Sequence, residues 1–331
     1  MKITIHGLGA VGGLMAAKLA GAGYEVSAIA RNETYDTVKR QGLTLIETVD
    51  GEERRTSHNV NVVRTPAELG PQDLVIVALK TTGLEAVAPQ IAATVGPETT
   101  VLSAMNGIPW WFAHGLPEPA GSLNLWSLDP SGVVGASILT SSVIGSVVHL
   151  SATAPNPGTI RRIAGNGIVI GEPGGGEASQ RVKKIATCLR DANFDVEETA
   201  LIQREIWFKL WGNMTVNPIS AITGATGDKI LADQYVREFM SSCMVEMANI
   251  GSCIGLPIGA NPEDRHAVTA SLGAFRTSML QDSVVGKPLE LDALISVLVE
   301  IASQVGVEVK NIKALLGISR LYARSKGLYP E

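Results

Sequence analysis

Apolar residues come in short blocks through the first half of the chain and at helical spacing through the second. Ile3–His6 reads as a short apolar strand, Val11–Gly21 as a helix rich in Ala and Leu, and Glu25–Ala30 as a second strand. A helix over Asp36–Gln41 precedes a strand at Leu43–Glu47. Leu74-Val75-Ile76-Val77-Ala78-Leu79 is apolar throughout, the pattern of a strand covered on both faces. Leu84–Thr94 predicts a helix and Thr100–Ser103 another strand. Strand–helix alternation of this kind predicts an α/β unit: a parallel sheet with helices on both faces.

The texture then changes. Residues 107–135 carry Trp110, Trp111, Trp126, four prolines and several glycines, and read as a long irregular segment of the kind that often carries function. Ser142–Ala152, Thr159–Ile163 and Ile168–Ile170 predict antiparallel strands, and Ala178–Asp191 a helix before a last strand at Asp195–Glu198. From about Ala200 the spacing is helical, with candidate helices at Leu201–Asn213, Leu231–Ile254, Asp264–Gln281, Glu290–Gln304 and Val309–Lys326. The expected organisation is a doubly wound sheet domain over residues 1–199 and an all-α domain over 200–331.

Length and composition agree with two compact domains: 331 residues, 45% hydrophobic and 18% charged. A net charge of −5 makes nucleic acid an unexpected partner, because a phosphate backbone calls for a basic face. Cys188, Cys243 and Cys253 match no zinc or CxxC spacing and are expected to be buried free thiols in a reducing compartment. The chain opens as a strand rather than a secretory leader, and its most apolar later run, Val133–Leu150, is interrupted by Ser, Gly and Thr. A cytoplasmic protein without membrane association is expected.

The first chemistry lies just past the first strand. Gly7-Leu8-Gly9-Ala10-Val11-Gly12 is a GxGxxG that opens a helix. Gly7 allows the tight turn, Gly9 lets a pyrophosphate approach the backbone, and Gly12 lets helix and strand pack closely. The helix N-terminus offers free N–H groups and the positive end of its dipole to phosphates. This context makes the unit Rossmann-type. Enzymes that use NAD usually carry an acidic residue at the end of the second strand; here that strand ends Ala28-Ile29-Ala30-Arg31-Asn32. Arg31 can pair with a 2′-phosphate, which favours NADP(H), although it also fits a solvated surface charge.

Four further stretches carry polar groups where a site would use them. Lys80 follows the apolar strand Leu74–Leu79 and Asn106 follows the next one, beyond the carboxyl ends of strands where ligands of open α/β sheets sit. Lys209, Asn213 and Asn217 fall at i, i+4 and i+8, on one face of a helix otherwise rich in Trp, Phe, Leu and Val. Ser278 precedes Glu290 by 12 residues. Each also has a structural reading. Lys80 fits a surface lysine, Asn213 and Asn217 fit polar groups at a helix end before Pro218, and Glu290 fits an acid in a first helical turn after Pro288.

Together these pieces resemble the ketopantoate reductase (2-dehydropantoate 2-reductase) family. The matching pieces are Gly7–Gly12 with Arg31, Val77-Ala78-Leu79-Lys80, Asn106-Gly107, Lys209-Leu210 with Asn213 and Asn217-Pro218, and Ser278-Met279-Leu280-Gln281-Asp282 with Glu290 and Asp292. The resemblance implies that Lys209 is the general acid and that Glu290 orients substrate and lysine. It implies that Asn106 and Lys80 bridge the nicotinamide end of the cofactor and the substrate. Asn213, Asn217 and Ser278 are then the groups that hold the carboxylate and hydroxyl of a small 2-oxo acid. NADPH would supply the hydride with no metal, and a homodimer is one possible assembly. The aromatic run Ile108-Pro109-Trp110-Trp111-Phe112-Ala113-His114 departs from the family pattern and reads equally as a packed loop or as a pocket wall. A reductase acting on another 2-oxo or 2-hydroxy acid is therefore an alternative. A non-catalytic NADP(H)-binding regulator is another, and Lys209 with Glu290 argues against it.

Overall fold

The structure is a computed structural model that describes residues 1–330. The chain divides into two compact units: Met1–Asn106 with Ser131–Ile202, and Gly107–Pro130 with the chain from Gln203 onward.

The first unit runs β1 (Lys2–His6), α1 (Ala10–Gly21), β2 (Glu25–Ile29), α2 (Asn32–Gln41), β3 (Leu43–Val49), β4 (Glu52–His58), β5 (Asn61–Val63), β6 (Leu74–Val77), α3 (Leu84–Ile91), β7 (Thr100–Ser103), α4 (Val133–Ser137), β8 (Val143–Asn156), β9 (Thr159–Gly171), α5 (Gln180–Asp191) and β10 (Asp195–Glu198). The ten described strands share one sheet in the order β4-β3-β9-β8-β7-β6-β1-β2-β5, with β10 beside β9. From β8 across to β5 each pairing is parallel. β6 and β7 are buried at every position, as the unbroken apolar character of β6 requires.

Two departures from the sequence pattern have local causes. Glu52–His58 (EERRTSH) lacks any apolar alternation, yet it forms β4, antiparallel to β3 at the sheet's edge. An edge strand needs one partner and no buried face, and charged side chains discourage further pairing. The two short strands expected at 159–170 are one long β9, antiparallel to β8 with bulges that absorb the polar interruption. The apolar run Val133–Leu150 is split, Val133–Ser137 forming α4 and the residues from Val143 onward entering β8.

The second unit is helical: α6 (Ile202–Thr223), α7 (Gly227–Ala232), α8 (Gln234–Cys253), α9 (Pro262–Ala270), α10 (Ser278–Val284), α11 (Val297–Gln304) and α12 (Lys310–Ser325). Expected helices are cut where caps and glycines say so. The Asp233 carboxylate accepts from the Val236 N–H and starts α8, separating it from α7. Gly273, at φ +65°, ends the run that begins at α9, and the Thr277 hydroxyl, accepting from the Leu280 N–H, starts α10. Conversely, α6 runs straight through Pro218, so Asn213 and Asn217 lie inside a helix rather than at its end. A π-helical turn, Asp292–Ser296, leads into α11. Among the described residues no helix is long and apolar enough to cross a membrane.

Residues 107–130 group with the helices, not with the sheet, a difference from the division at 199/200. Trp111 and Phe112 are buried, and Phe112 stacks on Trp207 of α6 at 6.0 Å between ring centres. Gln203 Nε2 donates to the carbonyls of Phe112 and His114, at 3.4 and 2.9 Å. The aromatic run therefore serves as core of the helical unit, while Trp126 is exposed. Of the three thiols, Cys188 and Cys243 are buried as expected, but Cys253, at the end of α8, is exposed.

Candidate active site

The candidate residues form two sets, one in each unit. In the sheet unit, β1 delivers the chain into Gly7-Leu8-Gly9, and α1 begins at Ala10 with Gly9 as an N-cap that makes no side-chain hydrogen bond. Gly7 has φ +102°, and a Cβ there would sit 2.6 Å from the Ala78 carbonyl oxygen. A Cβ at Gly12 would sit 2.0 Å from the Gly7 carbonyl oxygen and 2.9 Å from the Ala78 Cβ. Both glycines are demanded by the protein's own packing. Gly9 is different: a Cβ there meets nothing within 4 Å. Its φ of −78° suits any residue. Packing therefore gives no reason for glycine at position 9, whereas a diphosphate held against the N-terminus of α1 does. The loop fits a dinucleotide on this ground.

Register places the remaining residues of this set. Val77 of β6 pairs with Ser103 of β7, so Lys80 and Asn106, each three residues further on, leave the carboxyl ends of neighbouring parallel strands at the same height. His6 of β1 pairs with Val77 on one side and with Ile29 of β2 on the other, so the glycine loop and Arg31 share that rim. The Lys80 ammonium is buried. Arg31 is exposed, N-caps α2, and lines a cavity of about 220 Å³ with Gly7, Ile29, Leu79 and Val87. The order β6-β1-β2 puts this rim at the point where the chain direction of winding reverses, the usual place for a nucleotide in such sheets. Burial pulls the His6 pKa down to about 4, and its Nε2 lies 3.2 Å from the Thr94 hydroxyl.

In the helical unit, α6 turns one face inward and the other to polar partners. Trp207 and Trp211 fill the core, and Trp211 Nε1 donates to the Met244 carbonyl at 2.8 Å. The opposite stripe carries Lys209, partly buried, Asn213, partly buried, and Asn217, buried. Burial is the main cause that lowers the Lys209 pKa to about 8; Arg265 pushes it the same way, and Glu290 opposes both. The structure thus brings Glu290 within electrostatic reach of Lys209 although 81 positions separate them in the chain. Glu290 stands just ahead of the helical turn that starts at Leu291, held by the Leu289 N–H donating to the Leu328 carbonyl at 2.9 Å. Ser278 is exposed at the first position of α10. An ammonium whose pKa is brought down to about 8, within electrostatic reach of a carboxylate, can serve as a proton donor.

The comparisons decide the family. The profile of "Ketopantoate reductase PanE/ApbA" matches residues 3–119, and that of "Ketopantoate reductase PanE/ApbA C terminal" matches residues 201–323. The chain belongs to the ketopantoate reductase family. It is 40% identical to the 2-dehydropantoate 2-reductase of Mesorhizobium japonicum over 99% of this chain and 100% of that one. A Ralstonia solanacearum protein, whose crystal structure carries a provisional ketopantoate reductase assignment, superposes with a TM-score of 0.93 at 46% identity, covering 99% of each chain. The D-mandelate dehydrogenase solved with NADH and anilino(oxo)acetate shares the fold, with a TM-score of 0.83 at 19% identity over 99% of this chain and 100% of that one. The expected architecture, a Rossmann-type sheet followed by helices, is that of the family, and the chain is an oxidoreductase of the 2-dehydropantoate 2-reductase type.

Sequence reasoning picked out Lys209 and Glu290 but passed over Arg265, the third charge that acts on this site. The signal was Gly212, an isolated glycine inside a helix of bulky residues, where close approach of another group is the usual reason.

Proposed function

We propose that this family member reduces 2-dehydropantoate to pantoate with NADPH, using Lys209 as the proton donor. The observation that carries the reading is the Lys209–Glu290 pair, with the lysine pKa brought down to about 8. Bound NADPH supplies the hydride to the ketone carbon. Lys209 hydrogen-bonds the ketone oxygen, stabilises the negative charge that grows there, and transfers its proton to complete the hydroxyl. Glu290 keeps Lys209 protonated and accepts from the substrate hydroxyl. Asn213, Asn217 and Ser278 hold the substrate's other polar groups, and Lys80 and Asn106 hold the nicotinamide end of the cofactor and the substrate next to it. Gly7, Leu8, Gly9, Ala10, Val11 and Gly12 receive the diphosphate.

NADPH oxidation with 2-dehydropantoate and a panel of other 2-oxo acids tests this directly. Preferred turnover of 2-dehydropantoate supports it. A clear preference for a different acid would move the substrate and keep the machinery, a second reading favoured by the shared fold of the D-mandelate dehydrogenase that holds anilino(oxo)acetate.

A lysine with a pKa near 8 sets the pH profile. Reduction needs the protonated form, so kcat/KM should stay level below pH 8 and fall about tenfold per pH unit above it. Oxidation of the 2-hydroxy acid needs the neutral amine and should rise with pH up to the same point. A reductive profile still flat at pH 9.5 would remove Lys209 from the role.

The preference for NADP(H) rests on Arg31. Replacing it, Arg31→Ala, should weaken NADPH by about 10- to 100-fold, the value of a charge-assisted contact to phosphate, and leave NADH nearly unchanged. Equal weakening of both cofactors in a fluorescence titration would return Arg31 to an ordinary surface charge.

A further inference from the structure

Gly212 sits in the middle of α6, where glycine costs a helix about 1 kcal/mol relative to alanine. Arg265, from α9, explains its presence. A Cβ on Gly212 would lie 2.5 Å from Arg265 Nε, 2.7 Å from Nη2 and 2.9 Å from Cζ. The guanidinium is thus laid against the backbone of α6, with its Cζ 5.8 Å from the centre of the Phe208 ring. Phe208 and Gly212 are one helical turn apart and border the stripe of Lys209 and Asn213.

Arg265 Nε is buried and has no hydrogen-bond partner. Burial lowers the pKa of the guanidinium, and no neighbouring carboxylate offsets that. Its charge in turn disfavours the proton on Lys209. A buried donor left unused beside a second cation is a costly arrangement in the free protein, and an anion bound there relieves both penalties. The planar fork of an arginine suits a carboxylate in particular, taking both oxygens at once. A 2-oxo acid carries its carboxylate on the carbon next to the ketone. The group that anchors the carboxylate must therefore lie near the group that protonates the ketone oxygen, and Arg265 lies against Gly212, three positions along α6 from Lys209.

We propose that Arg265 is the carboxylate anchor of the substrate site, pairing with the acid group so that the adjacent ketone oxygen is presented to Lys209. The proposal rests on the 2-oxo acid reductase reading and adds a charged contact to the neutral ones of Asn213, Asn217 and Ser278. Its consequence is selectivity: the site favours acids over neutral ketones of the same shape.

The test compares the best 2-oxo acid substrate of the wild-type enzyme with its primary amide, which has nearly the same shape and no charge. Arg265→Met should raise KM for the acid about 100-fold and change the amide little, collapsing the preference between them. Gly212→Ala keeps the arginine but drives a methyl group into the guanidinium, and should shift the preference the same way by about 10-fold. Arg265→Lys should fall between wild type and Arg265→Met, and NADPH binding should be unchanged in all three. Should Arg265→Met fail to fold, Gly212→Ala and Arg265→Lys decide the matter by the same ratio. An unaltered acid-to-amide preference, or equal losses for both, assigns Arg265 to packing and overturns the proposal while leaving the reductase reading intact. A wild-type enzyme that reduces none of the 2-oxo acids overturns that reading, and the anchor with it.

Discussion

Lys209→Met should abolish reduction, by about 10³-fold in kcat, and at the same time make the protein more stable at pH 7. The first half follows from the loss of the proton donor, since positioned general acids contribute roughly 10²–10⁴-fold. The second half follows from the same burial that tunes it. With its pKa lowered from 10.5 to about 8, Lys209 holds its proton less well in the folded chain than in the unfolded one. Between about pH 8 and 10.5 the unfolded state binds more protons, so stability rises with pH across that window. Below it the protonated lysine costs on the order of 3 kcal/mol, less what water reaching its partly exposed side chain returns. Methionine fills similar space without the charge. Thermal unfolding should show a higher Tm for the variant at pH 7 and a smaller gain at pH 10, while NADPH binding persists. A variant that keeps its turnover, or is less stable at pH 7 than at pH 10 relative to wild type, would contradict the assignment.

The three glycines of the first loop should separate binding from folding. Gly12→Ala puts a methyl group 2.0 Å from the Gly7 carbonyl oxygen, where only backbone can yield. Overpacking of this kind costs about 1–3 kcal/mol or more, so Tm should fall by roughly 5 °C or more and the phosphate loop should lose its shape. Gly7→Ala should behave similarly, because φ +102° and a contact of 2.6 Å to the Ala78 carbonyl oxygen both oppose it. Gly9→Ala meets neither strain nor contact in the protein itself. It should fold with an unchanged Tm and bind NADPH about 10- to 100-fold more weakly, as the new methyl group occupies the space of the diphosphate. The paired measurement is a melting curve and a cofactor titration on each variant. Normal NADPH affinity in Gly9→Ala would show that the loop carries no dinucleotide at that point.

Much of the candidate site was legible because local sequence and local geometry coincide. A glycine loop between a strand and a helix is a contiguous object, as is a stripe of Lys209, Asn213 and Asn217 on one helix. Lys80 and Asn106 could be placed because strands that pair in parallel end at the same rim. The edge strand Glu52–His58 was hidden because a strand with no buried face has no apolar alternation to show. The breaks at Asp233 and Gly273 were hidden because the apolar spacing continues across them.

The sequence by itself determined the class of fold and the dinucleotide loop, since each depends on residue type at short range. Tertiary structure alone decided three further matters. It drew residues 107–130 into the helical core, through Phe112 on Trp207 and the Gln203 side chain, because burying aromatic surface outweighs chain proximity. It brought Glu290 to Lys209, which no spacing rule relates. It laid Arg265 on Gly212, turning a glycine that weakens a helix into the gap through which a second cation reaches the site. Burial and long-range approach set those outcomes, and neither is a property of any stretch of chain taken alone.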